Sequence, residues 1–369
     1  MIVGIPKEIK NQEYRLGMIP SQVHTLVKQG HQVLVEKGAG EGVGLQDTDY
    51  QQAGARIVEM EEVFAQAELV IKVKEPQATE IARLHAQQVL FTYLHLAPDL
   101  QQTQGLLDSG VTAIAYETVR TENGYLPLLA PMSEVAGRMS IQAAAHILEK
   151  RQGGRGILLS GIPGVPSADV LILGAGIVGS NALQIAVGMG ARVTIVDKNV
   201  QRLQELDQLW GNRIQTLLAD EFILSQCIAN TDVVIGAVLV PGGSAPKLLR
   251  REHLHKMRKG AVIVDVAIDQ GGCFETSQAT THDHPTYEME GVIHYCVANM
   301  PGAVPRTSTL GLVNASFPYI QQLANKGFKQ AVQENAALRA GVSIYQHQLT
   351  CSAVGLSQNR ISHAIESLI

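Results

Sequence analysis

The sequence predicts an α/β protein of two domains with parallel sheets, joined by long helices around a cleft. Three observations predict it. Short apolar, β-rich runs alternate with amphipathic segments over the first third of the chain and again after residue 167, the pattern of βαβ units. A stretch rich in glycine, proline and serine, 152–167, separates the two series and reads as a surface loop near the domain junction. A chain of 369 residues also exceeds one ordinary core and fits two.

In the first series, strands are expected at 2–5, 32–36, 69–73, 89–94 and 111–116, with helical patterns over 21–29 and 79–85 between them. That order makes the sheet parallel and puts its ligand-binding edge at the carboxyl ends of the strands. Residues 132–150 follow as a long buried helix, with Ser133 and Glu134 at its start and alanines and leucine along it. The second series gives strands at 170–173, 192–196, 233–237, 261–266 and 292–297. After Arg306 the pattern is helical to the end, including 310–323 and 327–340, and this tail is placed back on the first domain. The expected domains are 1–128 plus 306–369, and 129–305.

Composition narrows the function classes. Hydrophobic residues at 46% and charged residues at 17% exclude a disordered or fibrous chain. The net charge of −5 comes without basic runs or interleaved aromatics, so no nucleic-acid partner is expected. The cluster Arg250, Arg251, Lys256, Arg258 and Lys259 reads as a solvated helix surface. The N-terminus lacks the charged start and apolar run of a signal peptide, and no apolar stretch approaches the roughly 18 to 20 residues that span a bilayer. A cytoplasmic protein with no membrane partner is expected. Cys227, Cys273, Cys296 and Cys351 show neither C-x-x-C nor metal spacing, so no metal is expected.

Gly174-Ala175-Gly176-Ile177-Val178-Gly179 is a G-x-G-x-x-G. Alone such a motif also arises in ordinary turns, but here it follows an apolar strand, opens a helix and precedes a second strand. Gly174 permits the tight turn, Gly176 lets the backbone approach a pyrophosphate, and Gly179 lets the helix pack on its strand; the helix N-terminus stabilises the phosphate charge. The second strand ends in Asp197, placed to accept hydrogen bonds from an adenosine ribose and to repel a 2′-phosphate, which favours NAD over NADP. Lys198 and Arg202 nearby loosen that discrimination. Residues 129–305 are thus the expected NAD-binding, Rossmann-like domain.

In the first domain Lys74, His95 and Glu117 end successive strands, and Arg15 follows the first strand. One charge at a strand end is ordinarily a solvated boundary. Three at one edge, with Arg15, make a substrate site: a guanidinium fork for a carboxylate, a compact cation for a carboxylate or carbonyl, and an imidazole that can take and return a proton. In the second domain Asp269 lies just past a strand, followed by Gly271 and Gly272, and is either a reacting group or a turn residue. Val266, Ala267, Ile268, Asp269 and Ala298 are also expected at the cofactor, and Asn299 and Met300, which follow the last strand, are expected by the same edge placement to face its nicotinamide end.

Over essentially its whole length the sequence resembles the alanine dehydrogenase family. The stretches that carry the resemblance include Gly4-Ile5-Pro6-Lys7-Glu8 with Glu13-Tyr14-Arg15, Val73-Lys74-Glu75-Pro76, Thr92-Tyr93-Leu94-His95-Leu96-Ala97, the run from Pro131 to Met139, and Val266-Ala267-Ile268-Asp269-Gln270-Gly271-Gly272. The resemblance implies that Arg15 and Lys74 hold the substrate and that His95 and Asp269 are catalytic. It implies that Ser133, Ile177, Val178, Asp197, Arg202, Val238, Leu239, Asn299 and Met300 surround NAD. It further implies a Rossmann-like pair of domains assembled as a homo-hexamer. Two departures stand out: Ile19 where the family commonly has Thr, and Ala219-Asp220 where Ser or Asn is common near the adenosine. The implied reaction is reversible oxidation of L-alanine to pyruvate and ammonia. Its rivals are the NAD-binding component of a proton-translocating transhydrogenase and a non-catalytic NAD sensor.

Overall fold

The computed structural model describes residues 1–238 and 245–369. The chain divides into two compact units, one of Met1–Met132 with Val304–Ile369, the other of Ser133–Ala303.

The first unit opens with β1 (Ile2–Ile5), β2 (Gln32–Glu36), β3 (Arg56–Val58), β4 (Leu69–Ile71), β5 (Val89–Thr92) and β6 (Thr112–Ala115). These pair in parallel in the order β6-β5-β4-β1-β2-β3. Every residue of β4, β5 and β6 is buried. Burial on both faces is why these strands read as apolar runs rather than alternating ones. The three-residue β3 is too short to leave a periodic signal, and the sequence reading omits it.

The helix Ala130–Ile147 begins two residues before the expected start at 132. Pro131 fits its first turn, where a missing N–H costs nothing, so Ser133 lies inside that turn and is not the cap. The second unit carries β7 (Asp169–Leu173), β8 (Arg192–Asp197), β9 (Ile214–Leu218), β10 (Val233–Gly236), β11 (Val262–Asp265), β12 (Thr286–Met289) and β13 (Val292–Tyr295). Their order is β12-β13-β11-β10-β7-β8-β9, parallel except for β12. The strand order reverses on the two sides of β7, which makes its carboxyl end the switch point where open α/β sheets bind ligands.

The chain then returns to the first unit through the helix Pro305–Glu334, broken at Gly327 (φ 72°, ψ 165°), and the short helix Ala336–Gly341. The expectation of helices to the end fails here. β14 (Val342–Tyr345) and β15 (Gln348–Leu349) form a hairpin that adds antiparallel to β6. Its two turn residues, Gln346 and His347, both take positive φ (48° and 61°), as a tight hairpin demands. Neither is the Asn or Gly by which such a turn is recognised. Both sheets are therefore mostly parallel, each with an antiparallel edge.

Candidate active site

In the first unit, Ile71, Phe91 and Ile114 are register partners across β4, β5 and β6. Lys74, His95 and Glu117 each follow their partner by three or four residues, so parallel pairing alone brings them to one edge of the sheet. β1 lies beside β4, and the loop carrying Arg15 leaves from the same edge.

His95 is exposed and has a left-handed backbone, φ 48°. Its N–H donates to the Glu117 carboxylate at 2.6 Å, and the Leu94 N–H donates to both Glu117 oxygens at 3.2 Å. Glu117 therefore holds the loop that displays His95, a role the strand-end argument did not supply. The imidazole stacks on Tyr93 with ring centres 5.8 Å apart, and the Tyr93 hydroxyl donates to the Leu128 carbonyl.

Arg15 is only 3% exposed. Its Nε and Nη2 donate to the Glu13 carboxylate at 2.7 and 2.6 Å, and Nη1 lies 3.1 Å from the Met132 sulfur. In the sequence the whole fork is available to a substrate; in the structure one edge of it is held by Glu13. Burial opposes the guanidinium charge, but the hydrogen bonds and charge of Glu13 outweigh it and raise its pKa. Arg15, Glu8 and Glu13 line a cavity of about 310 Å³ whose walls do not include Lys74 or His95.

Two residues before Lys74, Lys72 is fully buried between Glu8 (3.2 Å) and Glu80 (2.7 Å). Glu8 also accepts the N–H of Val73 at 2.7 Å and that of Lys74 at 3.4 Å. Burial raises the Glu8 pKa, with Lys72 opposing. This network fixes the backbone at Lys74, which is itself half-buried. Pattern reading missed Lys72, Glu8, Glu80 and Glu13 as parts of the site.

In the second unit Gly174 turns the chain at φ 103° after β7, and the helix Ile177–Gly188 starts at once. A side chain on Gly179 would place its Cβ 1.8 Å from the Gly174 carbonyl oxygen, so helix and turn touch there. Gly176 differs. Its extended backbone (φ −70°, ψ −161°) suits any residue, and a Cβ would meet no atom of the described residues within 4 Å. Neither packing nor conformation demands this glycine; open space over a helix N-terminus is what a pyrophosphate needs. Asp197 accepts the Ala175 N–H at 2.6 Å and the Asn199 N–H at 2.8 Å. Arg202 donates to the Ala175 carbonyl at 2.9 Å, to the Ser180 hydroxyl at 2.8 Å, and to Glu205. Asp197 and Arg202 thus grip opposite ends of the Ala175 residue in the glycine turn, and Arg202 is directed at the turn rather than held ready for a 2′-phosphate.

Val238 packs beside Gly174. Ser133 is half-buried in the first turn of its helix. Val266, Ala267 and Ile268 lead from β11 into the turn Ile268–Gln270, which carries an exposed Asp269. Ala298 and a left-handed Asn299 (φ 66°) follow β13, and Met300 is buried. Leu239 lies outside the described residues. Of the two departures, Ile19 precedes the helix Pro20–Lys28, and Asp220 caps the helix Glu221–Ile228 by accepting the Phe222 and Ile223 N–H groups.

The model for "Alanine dehydrogenase/PNT, N-terminal domain" matches residues 4–136, and that for "Alanine dehydrogenase/PNT, C-terminal domain" matches 140–352. Alanine dehydrogenase of Halomonas elongata is 54% identical over 355 residues, 96% of each chain. That of Methanococcus maripaludis is 54% identical over 356 residues, 96% of this chain and 95% of the relative. A solved L-alanine dehydrogenase superimposes with a TM-score of 0.95 at 50% identity, covering 97% of this chain and 99% of that one. A transhydrogenase from Sinorhizobium meliloti shares the fold, with a TM-score of 0.82 at 24% identity over 95% and 98% of the two chains. The chain belongs to the alanine dehydrogenase/PNT family.

Proposed function

We propose that this chain is an NAD-dependent L-alanine dehydrogenase that reversibly oxidises L-alanine to pyruvate and ammonia. The observation that carries the reading is 54% identity to an alanine dehydrogenase across 96% of both chains. The transhydrogenase reading is the weaker one, since that likeness, at 24% identity, speaks for the fold alone.

The residues divide the work by chemistry. Arg15 and Lys74 attract the substrate carboxylate and polarise its carbonyl oxygen, which fixes the reacting carbon. Asp197, Arg202 and the open space over Gly176 suit a dinucleotide, with Ser133, Ile177, Val178, Val238, Leu239, residues 266–269 and 298–300 completing its surroundings. NAD supplies the hydride acceptor when bound. Once the neutral amine has lost its α-hydrogen as hydride, His95 takes a proton from the water that adds to the iminium carbon. It returns that proton to the departing nitrogen. Asp269 stabilises the positive nitrogen or orients the water.

Among the described residues no helix is long and apolar enough to cross a membrane. The family resemblance supports a cytoplasmic homo-hexamer, which light scattering of the purified protein measures directly.

The test is NADH formation with L-alanine, and NADH consumption with pyruvate and ammonium. His95→Ala is expected to lower kcat by roughly 10²- to 10⁴-fold in both directions while NADH still binds. Absence of turnover with L-alanine in the parent protein refutes the function; near-parental kcat in His95→Ala refutes the role of the imidazole.

A further inference from the structure

We propose that Asp265 is a positioning residue of the reaction, whose buried carboxylate ties together the two ends of the loop 266–272 and so presents Asp269. The inference rests on the reading of Asp269 as a reacting group.

Asp265 is the last residue of β11 and is fully buried. One carboxylate oxygen accepts the Ala267 N–H at 3.0 Å and lies 3.4 Å from the Cys273 thiol. The other accepts the Cys273 N–H at 2.9 Å and the Ser277 hydroxyl. Among the described residues its partners are two backbone N–H groups, a thiol and a hydroxyl, and none of these is a cation. A buried carboxylate held this way is costly to keep and strong in what it holds. What it holds are Ala267, near the start of the loop, and Cys273, just past its end.

The loop closes tightly on this anion. A Cβ on Gly272 (φ 74°) would sit 2.6 Å from the Asp265 carboxylate and 2.7 Å from Ser277. Inside the loop, the Gln270 and Gly272 N–H groups donate to the Ala267 carbonyl at 2.9 and 3.1 Å. The exposed Lys247 donates to the carbonyls of Gly271, Gly272 and Phe274 at 2.5, 2.8 and 3.1 Å. The loop is thus pinned by an anion at its N–H groups and by a cation at its carbonyls, while the Asp269 side chain stays exposed. A reacting group needs that kind of support, since misplacement by an ångström is expensive in rate.

The experiment uses the full-length enzyme and Asp265→Asn. An amide accepts at one position only, so either the Ala267 or the Cys273 N–H is left facing an NH2 group. Alanine oxidation should slow roughly 10- to 100-fold in kcat. Amide hydrogen exchange should quicken across 266–273 and stay unchanged in β7 and β8. Because Asp265 acts through Asp269, the Asp265→Asn/Asp269→Asn double variant should be no slower than Asp269→Asn alone. Multiplying losses in the double variant, or parental kcat and parental exchange in Asp265→Asn, overturn the proposal. Parental kcat in Asp269→Asn sinks the catalytic reading instead, and exchange across 266–273 still decides whether Asp265 holds the loop. Should Asp265→Asn not fold, Ser277→Ala removes one donor without a charge change. It should quicken the same exchange and lower kcat several-fold, and no change in either overturns the proposal.

Discussion

At the scale of single residues, Arg15 illustrates how a neighbour decides what a charge can do. Glu13, two residues away, is as deeply buried as the guanidinium it pairs with. Deleting the Arg15 guanidinium takes the paired cation away from that buried carboxylate, and breaking such a buried pair costs about 3–5 kcal/mol. Arg15→Met is therefore expected to lower the melting temperature and to raise KM for pyruvate at the same time. Adding Glu13→Gln should restore much of the melting temperature but not KM, because the attraction for the substrate carboxylate is still missing. Thermal melts and steady-state kinetics of both variants check this, and a double variant with parental KM would remove Arg15 from the substrate site.

At the scale of elements, the turn from β7 into its helix uses its glycines for different reasons. Gly179 is demanded by packing, since its Cβ would fall on the Gly174 carbonyl. Gly176 is demanded by nothing among the described residues. Gly179→Ala should therefore destabilise the fold by about 1–3 kcal/mol as an overpacked contact. Gly176→Ala should keep its melting temperature and lose NADH affinity by on the order of 1.4 kcal/mol, tenfold in Kd. Fluorescence titration with NADH beside a thermal melt separates the two. Unchanged NADH affinity in Gly176→Ala would mean that the open space is not where the pyrophosphate lies.

At the scale of the whole molecule, stability should depend on pH through His294, which is fully buried in β13. Its Nδ1 donates to the Val292 carbonyl at 3.1 Å and its Nε2 lies 2.8 Å from the Thr276 hydroxyl, an arrangement that suits the neutral ring. Burial lowers its pKa below the usual 6.5. Between that lowered value and about 6.5 the unfolded chain binds more protons than the folded one, so stability is full above 6.5 and is lost as pH falls. The melting temperature should drop between pH 7.5 and 5.5, and less steeply in His294→Gln. Glu8, whose pKa burial raises, acts with the opposite sign but equally in both proteins. Parallel slopes in the two would show that His294 carries none of the dependence.

The amino-acid order by itself determined whatever is local. The glycine turn, Asp197 at the end of β8, and Lys74, His95 and Glu117 just past three successive strands could be read because period, turn chemistry and parallel order are written in adjacent residues. Partnership is not written that way. Lys72 and Lys74 look alike in sequence, yet one is locked between Glu8 and Glu80 while the other is half-buried at the sheet edge. Glu8 reaches Lys72 across 64 residues, and Glu117 reaches the His95 N–H across 22. The β14–β15 hairpin forms because β6 offers it an edge, not because its turn residues announce it. A buried charge finds its partner wherever packing brings one within reach, so only the tertiary structure decided which carboxylates hold the site and which were left for chemistry.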